Sequence, residues 1–203
     1  MSGALAWTLV GLGLAVIVVR RRSIAVALVT GQALVLVGVA LNDATTRNDV
    51  LAAGALALRA VTLAALFFVL VARTRELRPV RARVSPLMRA GAAVALALAL
   101  TWLVPKIGLS SRDAERSVLT LVAFGVASVA LRRATIFQVL GIVLVENALA
   151  LAALELPGGA SLAIELGVAL DLMLVALVAA AFHERIFAEF GAGDTAALRT
   201  LRD

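Results

Sequence analysis

Long apolar runs separated by short polar segments make up most of the chain. Seven such runs can be read, at about 3–19, 23–41, 50–72, 87–105, 117–131, 134–156 and 161–182. A helix needs about 20 apolar residues to cross the hydrocarbon core of a bilayer, and only the fifth run is clearly shorter than this. Strands of a membrane β-barrel would instead alternate over about ten residues. The pattern therefore predicts an all-α, polytopic membrane bundle of about seven transmembrane helices.

The composition agrees with this prediction. Hydrophobic residues make up 63% of the 203 residues and charged residues 16%, whereas a soluble domain has roughly 45–50% apolar and about 25% charged residues. The chain has no cysteine and one histidine, which excludes a disulfide scaffold and leaves too few ligands for a transition-metal site. The basic residues lie between apolar runs, so they indicate membrane topology and a lipid bilayer as partner rather than nucleic acid.

The distribution of lysine and arginine predicts the orientation of the chain. Alternate loops and the C-terminal segment hold 14 of the 19 basic residues. The opposite loops hold Arg47, Lys106, Arg112 and Arg116, and Arg59 lies inside the third run. Because loops rich in basic residues stay in the cytoplasm, we expect the N-terminus outside and the C-terminus in the cytoplasm. The family resemblance described below implies that this membrane is the cytoplasmic (inner) membrane of a bacterium.

Four ionisable residues fall inside the predicted helices: Arg59, Glu146, Glu165 and Asp171. Each costs about 2.5–3.5 kcal/mol at a helix centre, so each needs a partner or a wet cavity. At a rise of about 1.5 Å per residue, Glu146 and Asp171 lie at similar depth on the last two helices, and Glu165 is shallower. Two interpretations are open. The residues form a proton path in which a movable arginine switches the proton affinity of a carboxyl group, or they form static ion pairs.

Other polar residues are read mainly as structural. Gln138 and Asn147 are predicted to make hydrogen bonds between helices, and Glu155 is expected to reach the membrane interface. His183, at the predicted cytoplasmic end of the last run, is either a proton entry group or a solvated interface residue. The glycines of the first two runs suggest close helix packing: Gly11, Gly13, Gly31 and Gly38.

The last third of the chain resembles a known family. Residues 138–147 read Gln-x-x-Gly-x-x-x-x-Glu-Asn, residues 165–171 read Glu-Leu-Gly-Val-x-x-Asp, and His183 and a closing Leu-Arg-Thr-Leu-Arg follow. This pair of motifs resembles hydrogenase-4 component E, a membrane subunit of formate hydrogenlyase-type and other group 4 nickel–iron hydrogenase complexes. In that family the last three helices are similar to subunit K of NADH–quinone oxidoreductase and to the third subunit of multisubunit sodium/proton antiporters.

The resemblance implies a division of the chain and a role for the carboxylates. A four-helix region at 1–116 precedes a three-helix region at 117–183 that is similar to subunit K, and residues 184–203 form a cytoplasmic tail. By this resemblance Glu146 and Glu165 belong to a lateral proton path. In subunit K the glutamate follows a glycine by two residues, whereas Glu146 follows Gly141 by five. Depth matching favours Asp171 as the partner of Glu146 and the motif favours Glu165, so both stay open.

The resemblance also implies that this chain carries no cofactor and is a non-catalytic subunit of an oxidoreductase complex. Nickel–iron and iron–sulfur centres would belong to partner subunits. Those partners would be antiporter-like and quinone-module-like membrane subunits together with a peripheral hydrogenase-like module. The alternatives are a subunit of a multisubunit cation/proton antiporter, a purely structural assembly subunit and a stand-alone transporter. Whether the transported ion is H⁺ or Na⁺ is left open.

Overall fold

The computed structural model describes residues 3–74, 84–156 and 162–190. Within these ranges the chain forms seven α-helices and no β-strand. The helices are α1 (Gly3–Val18), α2 (Arg22–Asn42), α3 (Arg47–Thr74), α4 (Pro86–Leu103), α5 (Arg112–Leu131), α6 (Thr135–Glu155) and α7 (Leu162–Phe190). Each predicted apolar run corresponds to one of these helices, although several runs extend one or two residues beyond the helix ends. The all-α, seven-helix prediction is therefore confirmed.

Six of the described helices, α2 to α7, are long and apolar enough to cross a membrane. The 16 described residues of α1 span ~24 Å at the usual helical rise, somewhat less than the ~30 Å hydrocarbon core. Helix α5 is longer than its apolar run because Ser111 caps its start, where the serine hydroxyl accepts a hydrogen bond from the N–H of Ala114 at 3.1 Å. The chain is therefore a multi-pass helical membrane protein.

Helices α5 and α6 approach each other most closely at two facing glycines. A Cβ atom on Gly125 would lie 2.6 Å from the carbonyl oxygen of Gly141, and one on Gly141 would lie 2.7 Å from the carbonyl oxygen of Gly125. Small residues allow membrane helices to pack backbone against backbone, and no larger side chain fits here without moving the helices.

The close packing expected at the glycines of the first two helices occurs at one of them. A Cβ atom on Gly13 would lie 2.9 Å from a methyl group of Leu121. Gly11, Gly31 and Gly38 have open space where a Cβ atom would be, so the expectation is wrong for these three. The rotation of each helix about its axis decides which glycines face a neighbour, and spacing alone did not reveal it.

Helix α7 lies at the edge of the bundle, packed on α3 and α6. Its inner face contributes Leu172, Ala176 and Ala180 to the buried core. Its outer face exposes large apolar side chains, such as Leu170 and Leu174. The helix continues through Phe190, so it includes the first residues of the predicted tail, and the rest of that tail lies outside the described residues.

Candidate functional site

Arg59 on α3 is buried inside the bundle, with 3% of its surface exposed. Its guanidinium group interacts electrostatically with Glu165, near the start of α7, and with Glu146, in the middle of α6. Neither Nη1 nor Nη2 has a hydrogen-bond partner among the described residues. The arginine thus lies opposite two carboxylates, and no hydrogen bond from its terminal nitrogens fixes it to either. A shift of the guanidinium group from one carboxylate to the other would therefore break no such hydrogen bond.

The two glutamates are buried to different extents. Glu165 is 5% exposed and Glu146 is partly buried. In each of them Oε2 is a buried atom that has no hydrogen-bond partner in the described part of the chain. One guanidinium group cannot neutralise two carboxylates. Because an unpaired charge is costly at this depth, the second carboxyl group needs a proton or another cation. We call Arg59, Glu146 and Glu165 the arginine–glutamate cluster. With one fixed cation and two carboxyl groups, the cluster can bind and release one proton or one other monovalent cation.

Asp171 lies near the cluster but faces away from the bundle. It is an electrostatic neighbour of Glu146, in line with the depth estimate from the sequence. Its side chain is exposed, whereas Glu165 is buried and also interacts with Arg59. Both acidic candidates therefore lie close to Glu146, and only Glu165 does so inside the protein.

His183 is separated from the other candidate residues. It is fully buried near the other end of α7, where its electrostatic neighbours are Arg22 and Glu184. At the helical rise it lies ~18 Å along the helix from Asp171, and the residues between them, 172–182, have no polar side chain. The structure does not bring His183 to the cluster, and the histidine is buried rather than solvated.

A hydrogen-bonded polar group joins three helices on the other side of α6. The side-chain amide of Gln32 on α2 donates from Nε2 to the carbonyl oxygen of Leu9 on α1 at 2.9 Å. The amide of Asn147 on α6 donates from Nδ2 to Oε1 of Gln32, also at 2.9 Å. The bond between helices predicted for Asn147 is confirmed. Gln32 was missed because a single glutamine in an apolar run carries no spacing signal.

Arg132, in the connection between α5 and α6, is buried and holds the end of α1. Its Nη2 donates to the carbonyl oxygens of Val16, Ile17 and Val19 at 3.0, 2.5 and 2.6 Å. Its guanidinium carbon lies 3.7 Å from the ring centroid of Phe137. The last carbonyls of a helix lack partners within it and carry the negative end of its dipole, so a cation is favourable there. Burial lowers the pKa of Arg132 to about 9, which leaves it charged at neutral pH.

The ends of α6 are also tied to the connecting segments. Gln138 donates from Nε2 to the carbonyl oxygen of Arg132 at 3.0 Å, so its bond is with the preceding turn instead of a distant helix. Glu155 is buried, accepts a hydrogen bond from the hydroxyl of Ser110, and accepts another from the Ser110 N–H at its own carbonyl oxygen. Glu155 was expected at the membrane interface, and it secures the connection between α4 and α5.

A cavity of about 360 Å³ lies among the ends of α2, α3, α6 and α7. We call it the acidic cavity, because it contains three carboxylates. Its lining consists of Ala40, Asp43, Ala44, Thr45, Thr46, Asp49, Ala52, Ala53, Leu56, Leu154 and Glu165. Since Glu165 also interacts with Arg59, the cavity adjoins the arginine–glutamate cluster. In the described part of the chain, no group of three or more acidic, histidine or cysteine residues is arranged to hold a metal ion.

The fold and the site together define a multi-pass helical membrane protein with a buried cluster of one arginine and two glutamates. Comparisons with protein-family models, with curated proteins and with solved structures find no match to this chain. The resemblance of its last third to hydrogenase-4 component E therefore stays a prediction.

Proposed function

We propose that the protein is a membrane subunit that contributes a proton path to a respiratory-type complex of the formate hydrogenlyase or hydrogenase-4 kind. The observation that carries the proposal is the arginine–glutamate cluster, in which three ionisable side chains from three membrane-spanning helices interact electrostatically inside the bundle. Buried polar groups in proteins are almost always paired. Ionisable groups at membrane depth commonly mark ion pathways. A cluster that is charged but not locked by hydrogen bonds is suited to changing its proton occupancy.

The cluster moves a proton by exchanging the partner of Arg59. With one proton shared by the two glutamates, the guanidinium group neutralises whichever carboxylate is ionised. Transfer of that proton from Glu165 to Glu146 turns Glu165 into the carboxylate and Glu146 into the acid. Arg59 then interacts with Glu165, and the net charge of the cluster is the same before and after the step.

Asp171 links this path to a partner subunit. It is an exposed carboxylate within a membrane-spanning helix, and Glu146 is its electrostatic neighbour. Facing lipid, such a group is costly, so another membrane subunit is expected to cover the outer face of α7. The antiporter-like and quinone-module-like subunits are the partners we propose. Nickel–iron and iron–sulfur centres would lie in a peripheral hydrogenase-like module, which agrees with the lack of cysteine in this chain.

The proposed orientation has the C-terminus in the cytoplasm of a bacterial cell. Several basic residues lie at one end of the bundle. There Arg132 donates hydrogen bonds to the end of α1, and Nη1 of Arg73 lies 3.4 Å from Oε1 of Glu184. The positive-inside rule assigns that end to the cytoplasm. The acidic cavity, at the opposite end, then faces outward.

Replacing Glu146 by glutamine tests the proposal. Glutamine keeps the size of the side chain but cannot hold an exchangeable proton, so we expect an assembled complex whose coupled proton movement falls by ~10-fold or more, the scale at which a single proton-transfer group acts. The measurement is dye-monitored pH change in membrane vesicles energised by the complex's own electron transfer. Glu155→Gln, at a buried glutamate outside the cluster, is the control and should retain full coupling. Full coupling in Glu146→Gln would contradict the proposal.

A structural role is the second candidate, since Arg59 interacts with Glu165 as a static ion pair would. In that case Arg59→Gln alone abolishes assembly, while Arg59→Gln combined with Glu165→Gln restores it. The proton-path account predicts that the double variant assembles and still fails to move protons. A double-mutant cycle that measures the amount of assembled complex, together with proton movement in the same variants, separates the structural role from the proton path.

A further inference from the structure

We propose that the acidic cavity is a vestibule that draws small monovalent cations from water to Glu165. This inference rests on the proposed role of the arginine–glutamate cluster. It identifies the end of the bundle from which the cation reaches the cluster. The three carboxylates come from separate elements: Asp43 from the end of α2, Asp49 from the start of α3 and Glu165 from the start of α7.

The cavity has the size and position of an aqueous entrance. At about 360 Å³ it holds several water molecules, each of which occupies ~30 Å³ in the liquid. Asp43 and Thr45 at its outer rim are exposed, whereas Glu165 at its inner end is buried. The cavity thus runs from the protein surface to a buried carboxylate.

The charge that lines the cavity is of one sign. Among the described residues of its lining, three are acidic and none is basic. Asp49 is held in place because its Oδ2 accepts hydrogen bonds from the N–H groups of Thr45 and Thr46, at 3.0 and 2.8 Å. Like charges on the walls of a cleft in a low-dielectric surrounding focus the potential and raise the local concentration of counter-ions. Cations are therefore enriched in this cavity.

Glu165 gives the vestibule a receiving group. It is 5% exposed, its Oε2 has no hydrogen-bond partner within the described ranges, and it lines the cavity. The three carboxylates are not arranged as a set of metal ligands, so an ion in the vestibule keeps its water. The vestibule concentrates the cation, and Glu165, which also interacts with Arg59, receives it.

The absence of native cysteine makes thiol labelling a direct test. Ala52→Cys places a single thiol in the wall of the cavity, and Ala53→Cys is a second position there. The protein in its membranes is treated with a cationic and an anionic methanethiosulfonate reagent of similar size. The ratio of their rates at Ile107→Cys, beside the basic Lys106, is the reference. We expect the ratio at the cavity to favour the cationic reagent by ~10-fold or more over the reference, the lower end of electrostatic focusing.

Two variants and two salts complete the test. Asp43→Asn with Asp49→Asn should return the ratio towards the reference. Equal ratios at the cavity and at Ile107→Cys, or thiols in the cavity that react only after denaturation, would overturn the vestibule. Slower labelling by the cationic reagent in sodium chloride than in choline chloride at equal ionic strength would show that sodium ions occupy the cavity. Equal labelling in the two salts would exclude a sodium-selective entrance. Labelling requires no turnover, so a cation preference combined with full coupling in Glu146→Gln would reject the proton path and keep the vestibule.

Discussion

Arg132 and Arg59 are both buried arginines, 8% and 3% exposed, but the protein holds them in different ways. Arg132 donates to three backbone carbonyls at the end of α1 and stacks on Phe137. The terminal nitrogens of Arg59 donate to no described residue, and they lie opposite two glutamates. Burial alone therefore does not distinguish these two arginines, whereas the hydrogen bonds made by their terminal nitrogens do.

The same contrast extends to their surroundings. Two buried polar side chains bridge helices near Arg132 and α1. Gln32 donates to the carbonyl oxygen of Leu9, and the hydroxyl of Ser128 donates to the carbonyl oxygen of Phe137 at 3.0 Å. Between α3, α6 and α7, the buried charges are close but not hydrogen-bonded to one another. Paired groups contribute to stability, whereas unpaired ones reduce it. A polar group that reduces stability is more readily explained by function than by folding.

The largest expected effect on stability is that of Arg132→Gln. Loss of hydrogen bonds from a charged donor costs about 1.5–3 kcal/mol each, and several carbonyls at the end of α1 would lose theirs, so we expect a loss of ~3 kcal/mol or more. Thermal unfolding in detergent, followed by circular dichroism, measures it. Arg116→Gln, at an exposed arginine, should change stability by less than ~0.5 kcal/mol. Equal losses of stability in the two variants would show that the hydrogen bonds of Arg132 do not stabilise the fold.

Gly125→Ala comes next. Its new Cβ atom would lie 2.5 Å from a methyl group of Val145, so α5 and α6 must separate, at a cost of ~1–3 kcal/mol for overpacking. Gly54→Ala is the matched control, since its Cβ atom would enter open space, and it should leave stability unchanged or raise it by up to ~1 kcal/mol. If the same unfolding assay shows no difference, the two helices are not packed through these glycines.

A smaller effect is expected for the bond between Gln32 and Asn147. The test is a double-mutant cycle in which each residue is replaced by leucine. We expect a coupling energy of ~0.6 kcal/mol, and at most ~1.7 kcal/mol, as for other hydrogen bonds between membrane helices. Unfolding free energies of the two single variants and the double variant give the coupling. Strict additivity would show that the amides do not stabilise each other.

The smallest change in stability is expected for Glu165→Gln. Its Oε2 has no hydrogen bond to lose, and the amide removes a buried charge while it leaves the volume unchanged. We expect a change below ~1 kcal/mol, since the lost attraction to Arg59 is offset by a lower desolvation cost. A loss as large as that of Arg132→Gln would show that Glu165 is a structural ion-pair partner.

The sequence predicted the helices well because membrane spans are set by the length of apolar runs. Depth estimated from the helical rise also predicted that Glu146 and Asp171 lie at the same level, in line with their electrostatic interaction in the structure. The sequence did not predict that Asp171 is exposed or that Gly125 faces Gly141, because these depend on how each helix is rotated against its neighbours. The early start of α5 had a readable signal: Ser111 precedes a first turn that contains Asp113 and Glu115, a pattern typical of helix starts.

The central claim is that the arginine–glutamate cluster serves ion movement and that Arg132 serves folding. The most direct test is coupled proton movement per assembled complex, measured in membrane vesicles for Glu165→Gln and Arg132→Gln. We predict that Glu165→Gln assembles in normal amounts and loses most of its proton movement. Arg132→Gln should assemble poorly, and each complex that does form should still move protons. Normal proton movement in assembled Glu165→Gln complexes would contradict the account.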